Sequence, residues 1–159
     1  MAYFVTGATG FIGRFLVTEL LDHREGEVFV LVREGSRHRM DALVRRWGSD
    51  RVTPVVGDLS QDGLGVDPAW VAEHRGSIEH FFHLAAIYDM TADDATNETM
   101  NVGGTRHALE LAEALEVGCF HQVSSVAAAG EHRGRFDETM FDQGQHLPSA
   151  RLVAIVSDF

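Results

Sequence analysis

The chain has 159 residues, 45% of them apolar and 23% charged, with a formal net charge of −11. Length and composition fit one globular domain able to bury a proper core. The acidic balance argues against general nucleic-acid binding, and no apolar run approaches the about 18 residues of a membrane span. The N-terminus lacks the basic leader of a signal peptide, and a single cysteine, Cys119, excludes an internal disulfide. Together these predict a cytoplasmic protein.

Short β-branched runs alternate with helical patterns. Ala2 to Thr6 reads as a strand and Phe11 to His23 as a helix, with Phe11, Phe15, Leu16 and Leu20 near helical spacing. Glu27 to Val32 is a second strand, residues 38–47 a helix, and Val52 to Val56 a third strand. Pro68 to His74 reads as a short helix with its proline in the first turn. Ile78 to Leu84 is a fourth strand, and Cys119 to Ser124 a fifth that places Cys119 in the core as a small hydrophobe. Between them, Asp93 to Glu116 is a long helix, interrupted near Gly103 and Gly104, with a buried stripe of Ala108, Leu111, Ala112 and Leu115 and a C-terminal cap at Gly118. This alternation predicts an α/β fold, a doubly wound parallel sheet of Rossmann type.

The segment VTGATGFIG, residues 5–13, falls between the first strand and its helix, with Gly7, Gly10 and Gly13 spaced by three. In that context three glycines serve a dinucleotide: the first permits a tight turn, the second lets backbone approach a pyrophosphate, and the third lets the helix pack closely. The helix N-terminus then offers backbone N–H groups to phosphate.

Further short motifs follow in order: GDLS at 57–60, HLAA at 83–86, Asn101 in NVGGT, and VSSVAAAG at 123–130. With TGATGFIG they resemble the extended short-chain dehydrogenase/reductases over residues 2 to about 147. VLVRE, AAIYD and FDETMFDQGQ are most similar to the acyl or thioester reductase-like and epimerase/dehydratase-like branch, which implies a carbonyl or acyl substrate. The resemblance implies that Gly7, Thr9, Gly10, Phe11, Ile12 and Gly13 cradle the pyrophosphate. It implies that Asp58 bonds the adenine amino group beside Leu59, and that Ala85 and Ala86 pass the ribose. Asn101 would hold local backbone or a water. Ser124, at the strand end, would join the cofactor-binding residues, and Ser125 beside it would bond the reacting carbonyl oxygen. Bland roles stay open: Asp58 as a local turn cap, Asn101 as partner to a helix break, and both serines as strand-end hydroxyls.

Arg33 stands at the end of the second strand, where an acid would favour NAD and an arginine accommodates the 2′-phosphate of NADP. It opens a window, residues 33–51, with six arginines, including Arg37 and Arg39, against three acids. NADP is therefore the expected cofactor, with NAD as the alternative. No metal is expected, because His80 and His83 fall on opposite faces of a strand and the spacing shows no Cys/His cluster.

The resembling family transfers its proton through a Tyr-x-x-x-Lys pair, expected here just after Pro148. This chain has no lysine at all, and its tyrosines are Tyr3 and Tyr88. Arg151 differs from lysine in reach and geometry, and nothing in the spacing brings His132 or His146 to a nicotinamide. Residues 148–159, with the apolar run LVAIV, depart from the family pattern. The chain thus reads as a dinucleotide-binding domain, residues 1–147, truncated before its last strands and its substrate-binding part, and inactive alone. The alternative is a complete non-catalytic module that senses dinucleotide or binds a partner. A homo-oligomer is left open.

Overall fold

The computed structural model describes residues 1–86 and 98–124, together with residues 132, 134, 135, 137, 139 and 140. Five strands form one sheet: β1 (Ala2–Thr6), β2 (Glu27–Val32), β3 (Val52–Val56), β4 (Ile78–His83) and β5 (Cys119–Gln122). Their order is β3-β2-β1-β4-β5, and every pairing is parallel. Among the described residues four α-helices accompany them: α1 (Phe11–His23), α2 (Arg37–Trp47), α3 (Pro68–His74) and α4 (Gly104–Ala114), the last entered through a π-helical turn at Glu98–Gly103.

Each sheet face carries its own core. On one side Val5, Val28 and Val30 meet Val17 and Leu20 of α1 and Met40 of α2. On the other, Phe4, Phe29 and Phe81 meet α3 through Trp70 and Val71, and α4 through Ala108, Leu111 and Ala112. Phe4 stacks on Phe81 across the β1–β4 pairing, with ring centroids 4.7 Å apart. The predicted stripe of α4 is buried as expected.

Three expectations change. The buried residues of α1 are Gly13, Val17 and Leu20, whereas Phe11 and Phe15 are 71% and 60% exposed. A Cβ on Gly13 would lie 2.7 Å from the Ala8 Cα and overlap the Gly7 carbonyl. That close approach sets the rotation of the helix and turns both phenylalanines outward. Gly118 does not cap α4. Glu116 takes the left-handed conformation (φ 52°) and Val117 N–H donates to the Ala112 carbonyl at 3.1 Å. Gly118 instead lets the chain pass β4, since a Cβ there would lie 2.9 Å from the Glu79 carbonyl oxygen. Cys119, expected in the core, is exposed. It lies on the α1–α2 side of the sheet, where the buried cluster reaches no further than its neighbours Phe82 and Leu84.

The basic window divides. Arg51 donates through Nη1 to the carbonyls of Arg24 (2.8 Å) and Gly26 (3.2 Å), and through Nη2 to Leu21, so it serves the C-terminus of α1. Carbonyls at a helix end need such partners.

Candidate functional site

In the order β3-β2-β1-β4-β5 the direction of winding reverses between β1 and β4. In open α/β sheets ligands bind at that point, outside the carboxyl ends of the strands. A cleft of about 340 Å³ lies there, lined by Gly7, Thr9, Gly10, Leu31, Val32, Arg33, Ser36, Gly57, Asp58, Leu59, Leu84, Ala85 and Ala86.

The turn at its floor is built by its glycines. Gly7 has φ 73°, a left-handed value that favours glycine, and a Cβ there would lie 2.8 Å from the Ala85 nitrogen. Gly10 N–H donates to the Gly7 carbonyl at 2.9 Å and closes the turn. A Cβ on Gly10 would meet only that carbonyl oxygen, at 3.2 Å, so the space beside it is open. Gly10 is also the N-cap of α1, with no side-chain cap, so the first backbone N–H groups of the helix are left for a ligand. Gly13 packs on the Gly7–Ala8 backbone rather than on the sheet.

Asp58 follows β3. Its Oδ1 accepts from the Ser60 backbone N–H at 2.9 Å and from the Ser60 hydroxyl at 2.7 Å. Those two bonds, in that order, with a smaller share from the Arg33 guanidinium, hold its carboxyl below the usual range. The local cap is thus present, and it uses one carboxylate oxygen. Leu59 packs against the α4-side core, and its carbonyl lies 2.8 Å from His107 Nδ1.

The other wall is fixed by a pair that the sequence reading did not single out. Thr6 Oγ1 lies 2.8 Å from His83 Nδ1 and accepts from the Leu84 and Ala85 backbone N–H groups, each at 3.2 Å. With both acceptor positions of that oxygen taken, the Thr6 hydroxyl must donate its proton to His83 Nδ1. The neutral imidazole therefore carries its proton on Nε2. Burial pushes the His83 imidazole down to about 4, in keeping with that neutral form. The signal was a threonine ending β1 and a histidine ending β4, but their meeting depends on register.

The structure thus brings Gly7, Thr9, Gly10, Arg33, Asp58, Leu59, Ala85 and Ala86 to one cleft and adds Ser36 and Gly57. Phe11, Ile12 and Gly13, whose backbone N–H groups open α1, are not among the residues lining the cleft, and neither are Arg37 and Arg39. Phe11 instead borders a separate groove of about 400 Å³ between α1 and α2, which shares no residue with the cleft. Asn101 sits half-buried in the π-helical turn, where its carbonyl accepts from the Thr105 hydroxyl at 2.7 Å. Ser124 is exposed beyond β5. Ser125, Tyr88, His146 and Arg151 lie outside the described residues.

A family model described as male sterility protein, of the NAD-binding type, matches residues 5–156. Among curated proteins, an aldehyde reductase of Aspergillus flavus is 33% identical over 80% of this chain and 13% of its own length. Among solved structures, the terminal R domain of the myxalamid PKS-NRPS biosynthetic pathway superimposes with a TM-score of 0.73 at 27% identity, over 84% of this chain and 37% of that one. Gre2 of Candida albicans, solved in complex with NADPH, gives a TM-score of 0.65 at 25% identity, over 82% of this chain and 38% of that one. The chain therefore spans well under half the length of these relatives. It belongs to the male sterility protein family of NAD-binding domains, within the extended short-chain dehydrogenase/reductases.

Proposed function

We propose that these residues form the cofactor-binding part of a reductase acting on a carbonyl or acyl substrate, with NADP(H) preferred over NAD(H). The observation that carries the reading is the single cleft shared by the glycine turn, Arg33 and Asp58. The open space at Gly10 suits a pyrophosphate against backbone, with Gly7 and Thr9 beside it. Arg33 and Ser36 are the groups for a 2′-phosphate, which arginine holds bidentately. Asp58 Oδ2 is left for the adenine amino group, with Leu59 under the ring. Ala85 and Ala86 leave room for a ribose at the end of β4. When bound, the cofactor supplies hydride. Of this chain's own residues, Ser125 is the proposed hydroxyl that orients the substrate oxygen. With no lysine, the chain holds no Tyr-x-x-x-Lys pair, so turnover by these residues alone is expected to be undetectable. A positioned acid–base group is typically worth about 10²–10⁴-fold.

Fluorescence titration of the purified chain with NADPH and NADH tests the reading. NADPH should bind more tightly, and Arg33→Ala should remove that advantage at a cost of about 1.5–3 kcal/mol, as for a hydrogen bond to a charged group. Gly10 has φ −70° and ψ 173°, open to any residue, so Gly10→Val should keep the fold while blocking the cofactor. Undiminished binding in folded Gly10→Val, or an NADH preference that survives Arg33→Ala, overturns the proposal. Turnover on aldehydes or acyl thioesters that vanishes in Ser125→Ala would show a substitute acid–base group and end the inactive reading.

A further inference from the structure

A second set of chemically active side chains lies on the α1–α2 side of β4 and β5, away from the cleft residues. The parallel register sets His80 opposite Cys119 and Phe82 opposite His121. Alternate residues of a strand share a face, so His80, Cys119 and His121 project together. His80 Nδ1 and His121 Nε2 are 3.0 Å apart, and one ring nitrogen of each histidine and the Cys119 sulfur all lie within 4.8 Å of one another. Both rings are held by stacking. Tyr3 lies against His80 at 5.8 Å and 8°, and Phe82 against His121 at 4.5 Å and 11°. Cys119 is exposed, so the group opens to solvent.

We infer that His80, Cys119 and His121 form a binding site for a borderline-soft divalent metal ion, with zinc as the best match, leaving the fourth position to water or an external ligand. Zinc takes nitrogen at about 2.0–2.1 Å and sulfur at about 2.3 Å in tetrahedral array, which sets ligand atoms about 3.3–3.6 Å apart. The two nitrogens are already near that spacing, and an exposed cysteine can turn to complete it. One thiolate and two imidazoles favour zinc over calcium or magnesium, which take oxygen. Binding sends the Cys119 thiol proton to solvent, and the proton shared between the rings moves to an outer ring nitrogen.

Asp62, His107 and Glu110 make a comparable cluster. Its members already serve the fold: His107 Nδ1 meets the Leu59 carbonyl, and Glu110 accepts from the Gly63 N–H. It supplies the control. Chelator-treated full chain, kept reduced, is titrated with Co²⁺ and then with Zn²⁺. One Co²⁺ per chain should bind with a thiolate-to-cobalt charge-transfer band, and Zn²⁺ should displace it. Cys119→Ser should lose the band and weaken zinc binding at least tenfold, since even an outer-shell loss costs about 10–100-fold. His121→Asn should weaken binding likewise, while Asp62→Asn with Glu110→Gln should bind as the parent does. Far-UV circular dichroism confirms that each variant is folded. A parent chain without the band, zinc affinity unchanged in folded Cys119→Ser, or affinity lost only in the Asp62/Glu110 variant overturns the assignment.

Discussion

β1 and β4 lie side by side and pair from end to end, yet their surroundings differ. All five residues of β1 are buried, whereas β4 is mixed, with Ile78, Phe81 and His83 buried and Glu79, His80 and Phe82 not. Helices cover β1 on both sides. The buried residues of β4 instead face α3 and α4, and its other side carries the half-covered row of His80 and Phe82. A parallel strand covered on both faces reads as a continuous apolar run. AYFVT does, while IEHFFH mixes polar and apolar residues, as fits a strand whose two sides are covered unequally. Among the described residues, burial in this sheet thus follows the number of layers over each strand, and the less covered side of β4 and β5 is where polar and sulfur chemistry collects.

The largest effect is expected within β4. Phe81→Ala should cost about 3–5 kcal/mol in denaturant unfolding, the usual cost of emptying a buried phenylalanine site. Next comes acid. Folded His83, at about 4, binds fewer protons than an unfolded histidine near 6.5. Its contribution is therefore complete above pH 6.5 and is lost as pH falls towards 4, an effect of about 3 kcal/mol. Stability measured across that window should slope with pH in the parent and flatten in His83→Gln. A small slope of the same sign should remain from His121, whose pKa is also lowered. The smallest effect belongs to Phe82→Ala, one residue along but half-buried, at about 1 kcal/mol. Equal costs at Phe81 and Phe82 would mean that the two faces are covered alike, contrary to the layer argument.

Where a feature depends on neighbours in the chain, the sequence was enough to read it. The five strands and the short helix after Pro68 follow from local runs, and Asp67 caps that helix by accepting from Ala69 N–H at 2.8 Å. Gly7, Gly10, Arg33 and Asp58 were legible because each sits at the end of a recognisable strand or turn. What escaped depends on register and rotation. Thr6 and His83 are 77 positions apart, and His80 and His121 are 41 apart. Only the β1–β4 and β4–β5 pairings bring each couple together. The outward turn of Phe11 and Phe15 escaped because apolar spacing marks two stripes on α1, and only the contact at Gly13 chooses between them. Cys119 was misplaced because a strand near the end of a sheet is not covered merely by being apolar.

The hydroxyl of Thr6 has a consequence for how the molecule breathes. Leu84 and Ala85 belong to a loop by position, and loop amides ordinarily trade their hydrogens with solvent quickly. Here both amides point at an oxygen that is 0% exposed and already committed to His83. Freeing either one requires β1 and β4 to part. In deuterated water these two positions should therefore retain their protons as long as the centre of the sheet does, so that this rim of the cleft shares the slow clock of the core.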